Sequence, residues 1–298
     1  MRKILFIAGD LSGDIHSSML AREIAARHSD WKLFAAGGSH LKAAGANIIA
    51  DTGDCGVIGF ASAMALLPRL MKLHHQVLRW VHAEKPDAIV LCDWGGFNVR
   101  LLPSFKEIGI PALYYFPPRS WQKQGPNAVG IVPFVQAIAT PFPWSAEKLQ
   151  AAGANCEWVG HPLLEIVDAR AGREELRREF GVGDADKLVA LLPGSRNMEL
   201  KYIAPHLSAV VQLLKKSTPE FSFRFIVAVP SGAKKKIRLY FDETVEIVEN
   251  RAADVLLACD VAAVKSGTAT LEAAVAGAPQ SVVYDGPMPG RLQWKLRG

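Results

Sequence analysis

Continuous apolar runs, each closed by glycine, proline or a polar residue, alternate along the chain with longer stretches whose apolar residues recur at helical spacing. The runs Ile4–Ala8, Lys32–Ala36, Ala88–Cys92, Pro111–Phe116, Ala137–Thr140 and Cys156–Val159 read as strands of one sheet. Leu188–Leu192, Phe223–Val227, Val245–Val248, Val261–Val264 and Gln280–Tyr284 read as strands of a second. Ile15–Ala26, Ser62–Ala83, Val99–Ile108, Trp144–Ala151 and Arg173–Phe180 read as helices, and Pro68 predicts a break near the middle of the second. This alternation predicts an α/β fold of two Rossmann-like parallel-sheet domains facing each other across a cleft. The boundary is placed after Gly160-His161-Pro162, dividing the chain into residues 1–162 and 163–298.

Two glycine-marked turns carry the candidate chemistry. Gly9-Asp10-Leu11-Ser12-Gly13-Asp14 follows the first strand, and Lys265-Ser266-Gly267-Thr268-Ala269-Thr270-Leu271-Glu272 follows Val261–Val264. Each predicts a buried strand, a small-residue turn and a helix start whose free N–H groups suit an anion, so the expected ligand is phosphorylated. In the second turn the small residues let a phosphate approach the amides of Gly267, while the hydroxyls of Ser266, Thr268 and Thr270 add donors. Glu272 there either accepts ribose hydroxyls or balances the charge of the helix start. The first turn holds acids that a phosphate loop would avoid, so Asp10 and Ser12 suit sugar hydroxyls or proton transfer, and Asp14 suits the helix cap.

Three further stretches stand out. Asp93-Trp94-Gly95-Gly96-Phe97-Asn98 follows a strong strand, where side chains line the ligand crevice of a parallel sheet; Asp93 is the candidate base there, or else the cap of the next helix. In Leu191-Leu192-Pro193-Gly194-Ser195-Arg196 a guanidinium follows a glycine turn and can fork onto two phosphate oxygens, unless it is simply an exposed arginine. His161, before a proline at the domain crossing, is expected to face the cleft, and His16 to be packed or solvated. Asp184-Ala185-Asp186 has the spacing by which some sugar transferases hold a metal, but it precedes a strand and reads as a polar loop; no metal and no cofactor are expected.

Composition narrows the partners. A net charge of +5 favours an anionic small molecule or an anionic membrane surface. Nucleic acid is set aside because no aromatic-basic signature accompanies that charge. The basic and apolar faces of Ser62–Ala83 suit either a core-facing helix or a lipid surface. Cys55, Cys92, Cys156 and Cys259 are scattered without metal spacing, which fits reduced thiols in the cytoplasm. No run approaches the roughly 20 apolar residues of a membrane span. Oligomeric state is left unassigned.

Gly9–Asp14, Asp93–Asn98, Val159–Pro162, Leu191–Arg196 and Ser266–Glu272, in this order and spacing, resemble the bacterial lipid-A-disaccharide synthase family across nearly the whole chain. The resemblance implies a GT-B-like, inverting, metal-independent glycosyltransferase. It would move diacylglucosamine from UDP to a diacylglucosamine 1-phosphate acceptor and release UDP, peripheral on the inner face of the inner membrane. It implies catalytic roles for Asp93 and Asp10. The UDP-sugar is then assigned to Gly194, Ser195, Arg196, Ser266, Gly267, Thr268, Thr270 and Glu272 in the later domain, and the acceptor side to Ser12, Asn98 and His161. Gly96 stands where the family carries a second acid, and the family's tryptophan- and arginine-rich stretch is shortened at Pro118–Gln124. The chain stops at Arg291–Gly298, before the family's C-terminal segment, so the later domain reads as incomplete, in a truncated or divergent member. A UDP-N-acetylglucosamine epimerase of the same build and a non-catalytic nucleotide-sugar-binding module are the alternatives.

Overall fold

In the computed structural model, residues 1–52, 60–117, 126–168, 170–218 and 220–286 are described. They fall into two units, Met1–Pro162 and Leu163–Gly298. The first is built on the strands Lys3–Ala8 (β1), Lys32–Gly37 (β2), Asn47–Asp51 (β3), Ala88–Cys92 (β4), Ala112–Tyr115 (β5), Ala137–Thr140 (β6) and Cys156–Trp158 (β7). They pair in parallel in the order β3-β2-β1-β4-β5-β6-β7. Its helices are Leu11–Arg27 (α1), Ser39–Ala43 (α2), Phe60–Glu84 (α3), Gly95–Ile108 (α4) and Pro143–Ala151 (α5), with a 3-10 helix over Pro126–Phe134.

Both faces of this sheet are covered, which is why its strands read as unbroken apolar runs. Leu5 and Ile7 of β1 pack on one side with Leu73, Val77 and Val81 of α3 and Leu101 and Phe105 of α4. Ile4, Phe6 and Ala8, alternating with them, pack on the other side with Ala21 of α1 and Leu41 of α2.

The second unit carries Asp186–Leu192 (β8), Ser222–Val229 (β9), Val245–Glu249 (β10), Val261–Lys265 (β11) and Gln280–Val283 (β12), parallel in the order β10-β9-β8-β11-β12. Leu163–Asp168 (α6), Arg173–Glu179 (α7), Asn197–Ser217 (α8), Lys234–Arg238 (α9), Ala252–Ala258 (α10) and Thr268–Val275 (α11) complete it. Here too alternate residues of one strand face opposite cores: Leu188, Ala190 and Leu192 meet α7 and α10, while Val189 and Leu191 meet α8 and α9.

Several sequence expectations are corrected. The edge strand β3 and the short α2 were not predicted; β3 is short and only partly buried, so its apolar signal is weak. Pro68 does not break α3, which runs through it. A mid-helix proline costs about 3 kcal/mol. Leu73 at 5% exposure and Val77 and Val81 at 0% each return about 1.5–3 kcal/mol through burial, and together they outweigh it. The helices α1 and α4 start earlier than their apolar spacing indicates, at Leu11 and Gly95, so much of Gly9–Asp14 and of Asp93–Asn98 is already helical. No helix among the described residues is long and apolar enough to cross a membrane.

Candidate active site

In each sheet the chain winds outward from a central strand in both directions, and the crevice between the two diverging loops is where open α/β sheets take ligands. In the first unit that point lies between β1 and β4, paired as Ala8 with Cys92. Asp93 follows Cys92 directly, and Asp10 stands two residues past Ala8, just beyond the ends of adjacent strands.

The two loops interlock at Gly9. A side chain there would begin 1.9 Å from Cδ2 of Trp94, so the glycine makes room for the indole, which also stacks on Phe97 at 4.1 Å. Asp93 and Trp94 have φ of 44° and 46°, in the left-handed region that costs roughly 1–2 kcal/mol per non-glycine residue. Hydrogen bonds hold the strained pair. The Asp93 N–H donates to Phe116 O at 3.1 Å, and Asp93 O accepts from Tyr114 Oη at 2.5 Å and Asn98 Nδ2 at 3.0 Å. Such strain collects where function over-determines the backbone. Trp94, not Asp93, is the N-cap of α4.

The other acids of this unit divide their work. Asp10 is the N-cap of α1, its carboxylate accepting from Gly13 N at 2.8 Å and Ser12 Oγ at 3.1 Å. Asp14, expected to cap its own helix, instead lies 4% exposed and accepts from Gly38 N at 2.7 Å and His40 N at 2.8 Å, holding the start of α2. Burial pushes the Cys92 thiol up, a hydrogen bond from Ser17 works against that, and the charges of Asp93, Asp10 and Asp14 add to the rise.

Asn98, assigned above to the acceptor side, is corrected: it is fully buried and bonds Cys92 O and Asp93 O, so it positions the Asp93 loop from behind. Ser12 turns its hydroxyl proton to Asp10. His161 is half-buried and packs with His16 at 5.3 Å, Phe116 at 5.5 Å and Phe142 at 5.7 Å, and burial lowers its pKa. His16 is packed rather than solvated. The shortened stretch at Pro118–Gln124, Cys55 and the end Arg291–Gly298 lie outside the described residues.

In the second unit the reversal falls between β8 and β11, paired as Leu192 with Val264. Gly194-Ser195-Arg196 follows one strand and Ser266-Gly267-Thr268 the other, so the structure brings these two stretches together. Glu199, a residue the motif reading passed over, joins the first stretch to Lys265, the last residue of β11. Its Oε2 accepts from Ser195 N at 2.8 Å and Arg196 N at 3.2 Å, and its Oε1 from Arg196 Nη1 at 3.2 Å and Lys265 Nζ at 2.7 Å. Burial raises the Glu199 carboxyl, but Lys265, the Ser195 amide and Arg196 outweigh it, and the net shift is downward. The signal was the spacing Arg196 to Glu199, an acid three residues past the cap reaching back to the cap N–H.

Gly194 has φ of 108°, and a Cβ there would lie 2.5 Å from Glu199 Oε2. Gly267, with φ 150° and ψ −150°, is the N-cap of α11 and supplies no side-chain cap, and Gly267 and Thr268 are exposed. Ser266 is half-buried and its N–H is taken by Val283 O at 2.9 Å. Thr270 Oγ1 donates to Gly267 O at 2.7 Å, so its proton stiffens the turn instead of facing a ligand. Glu272 is half-buried beyond the first turn, where helix-start compensation no longer acts, and burial raises its pKa. Asp186 opens β8, bonded by Gly183 N at 2.8 Å and Ser222 Oγ at 2.5 Å.

A family model described as lipid-A-disaccharide synthetase matches residues 4–286. The lipid-A-disaccharide synthase of Syntrophus aciditrophicus (strain SB) is 32% identical over 284 residues, covering 94% of this chain and 74% of that protein. Lipid-A-disaccharide synthase 1 of Legionella pneumophila (strain Lens) is 30% identical over 287 residues, covering 95% and 74%. Among solved structures, the UDP-GlcNAc 2-epimerase of Neisseria meningitidis bound to UDP-GlcNAc superposes with TM-score 0.64 at 13% identity, covering 98% of this chain and 85% of that one. The Methanocaldococcus jannaschii UDP-GlcNAc 2-epimerase in complex with UDP-GlcNAc and UDP superposes with TM-score 0.61 at 13% identity, covering 98% and 87%. At such identity the likeness is one of fold, the GT-B-like build of two parallel-sheet domains.

Proposed function

The chain belongs to the lipid-A-disaccharide synthetase family, and from that membership we propose that it transfers diacylglucosamine from UDP to a diacylglucosamine 1-phosphate acceptor with release of UDP. It is a glycosyltransferase of the hexosyl-transferring kind. The observation that carries the residue assignment is that both pairs of candidate loops stand at the carboxyl ends of the strands where each sheet reverses direction.

In this reading the second unit holds the nucleotide. The uncapped start of α11 at Gly267 and Thr268 meets the diphosphate, with Ser266 and Thr270 shaping the turn. Arg196, set by Gly194, Ser195 and Glu199, neutralises charge as UDP leaves. Glu272 accepts the ribose hydroxyls. The first unit supplies the base. The acceptor hydroxyl attacks the anomeric carbon with inversion and gives its proton to Asp93, whose backbone is fixed from behind, while Asp10 and Ser12 orient the sugar and His161 flanks it.

The acylated substrates and an anionic membrane surface are met by α3. Leu67 and Met71 are 39% and 54% exposed beside exposed Arg69, Lys72 and Arg79, an apolar and basic face suited to acidic lipid. Next to it Ile48, Ile49 and Leu73, together with the polar Asp51, Arg69, Lys72 and Gln76, line a groove of about 400 Å³ whose mixed lining suits an amphipathic, acylated sugar.

Turnover of UDP-diacylglucosamine with its acceptor, comparing Asp93→Ala and Asp10→Ala with the parent, tests the assignment. A fall of about 100-fold or more in kcat is expected for Asp93→Ala; parent-like rates would remove Asp93 as the base. With UDP-N-acetylglucosamine and no acceptor, a product inverted at a sugar carbon would instead mark an epimerase.

A further inference from the structure

We infer that a row of rings past the carboxyl ends of β5, β6 and β7, ending in the exposed Trp144, is the track for an acyl chain of the acceptor; this rests on the reading that the first unit receives the acceptor. The row starts beside the candidate base, since the Asp93 N–H donates to Phe116 O at 3.1 Å. From Phe116 it passes to His161 at 5.5 Å between ring centres, then to Phe142 at 5.7 Å and to Trp144 at 4.7 Å, the last two rings stacked at an angle of 15°. His16 closes the inner end, 5.1 Å from Phe116 and 5.3 Å from His161. Strands two apart in a sheet are about 10 Å from each other, so Phe142, just past β6, stands on that scale from Asp93, just past β4.

The outer end is apolar and open to water. Trp144 is 49% exposed, and Trp158 and Val159, at the end of the edge strand β7, are 57% and 49% exposed. They adjoin the row because Trp158 Nε1 donates to Pro141 O at 3.2 Å and Val159 N to Thr140 O at 3.0 Å. Large apolar side chains left together in water mark a surface that a ligand covers. The rings are also held ready: Trp144 by its stack on Phe142, Trp158 by its N–H bond, and Phe142 by a proline on either side. Binding therefore costs little in ordering them. The chemistry of the row selects the apolar part of the acceptor. Burial lowers the pKa of both His16 and His161, so no ring in the row is charged at neutral pH and none offers a phosphate a cation. A substrate whose hydroxyl reacts at Asp93 must lead its acyl chains away from that point, and the row is an apolar path that begins there. The groove beside α3 borders β3, at the opposite edge of the sheet, and is a separate surface.

Two probes separate the contributions: glucosamine 1-phosphate bearing two hexanoyl chains, and the same sugar phosphate without them. In calorimetry with the full chain, the parent should bind the acylated probe at least about 10-fold more tightly than the bare one. Trp144→Ser and Trp158→Ser should each reduce that preference about 3- to 30-fold, while binding of the bare probe and of UDP changes by about twofold or less. Trp144→Phe keeps an apolar ring and should keep most of the preference. In turnover, Trp144→Ser should raise the acceptor KM and leave the donor KM unchanged. Both tryptophans are exposed, and an unchanged thermal unfolding midpoint shows that the variants fold. A parent that binds both probes alike, a preference unaltered in Trp144→Ser and Trp158→Ser, or equal losses for the two probes overturns the track and leaves the acceptor reading standing. So does a loss confined to sedimentation with phosphatidylglycerol vesicles, which marks a membrane face, or a fall from dimer to monomer with probe binding intact, which marks a contact between copies. A parent that binds neither probe overturns the acceptor reading itself, and this inference with it.

Discussion

His16 provides a quantitative test of how the first unit responds to acid. The imidazole is 6% exposed, packed edge-on against Phe116 at 5.1 Å and His161 at 5.3 Å, and among the described residues its Nδ1 has no hydrogen-bond partner. Burial first, and the neighbouring His161 second, lower its pKa from 6.5 to about 3. The unfolded chain therefore takes up a proton that the folded chain refuses, and stability falls as pH drops from near 6.5 toward 3. At about pH 5 the gap is roughly 1.5 units, or about 2 kcal/mol. Replacing the ring by one that does not titrate, His16→Phe, should flatten that part of the profile. Urea unfolding at about pH 7 and pH 5, with m-values checked for equality, measures the difference. Histidine C–H resonances provide an independent readout, since the His16 ring should stay neutral at pH 5. Equal losses of stability in parent and variant, or a His16 resonance titrating near pH 6, would refute the reasoning.

Other perturbations probe the two loop systems. Gly194→Ala forces a Cβ to 2.5 Å from Glu199 Oε2 at φ 108°, so it should destabilise by about 1–3 kcal/mol and weaken UDP binding, both readable by unfolding and calorimetry. Tyr114→Phe deletes the 2.5 Å bond to Asp93 O; the expected cost is about 1 kcal/mol, with kcat falling and donor KM unchanged, and an unaltered kcat would show that the loop does not need it. Gly9→Ala places a methyl 1.9 Å from the Trp94 ring and should expel the indole, seen as a shifted tryptophan emission together with lost turnover.

Much of the fold was legible because both sheets are parallel and covered on both faces, so their strands read as apolar runs that no amphipathic helix imitates. Ala88–Cys92 and Ala137–Thr140 match their predicted limits for that reason. The edge strand β3 escaped because its exposed side leaves too few apolar positions, and Pro68 misled because local backbone cost was weighed without the burial of Leu73, Val77 and Val81.

The sequence by itself determined the alternation of strand and helix, the division into two sheets, and the residues that stand just past strand ends. What it could not determine was which loops become neighbours, since strand order follows from long-range pairing that no local pattern records. Only the tertiary structure set the Asp93 loop against Gly9, with Asn98 and Tyr114 behind it, and turned Asp14 away from its own helix to the start of α2. Only it made Glu199 the common partner of Arg196 and Lys265, residues 69 positions apart in the chain yet on loops that leave paired strands.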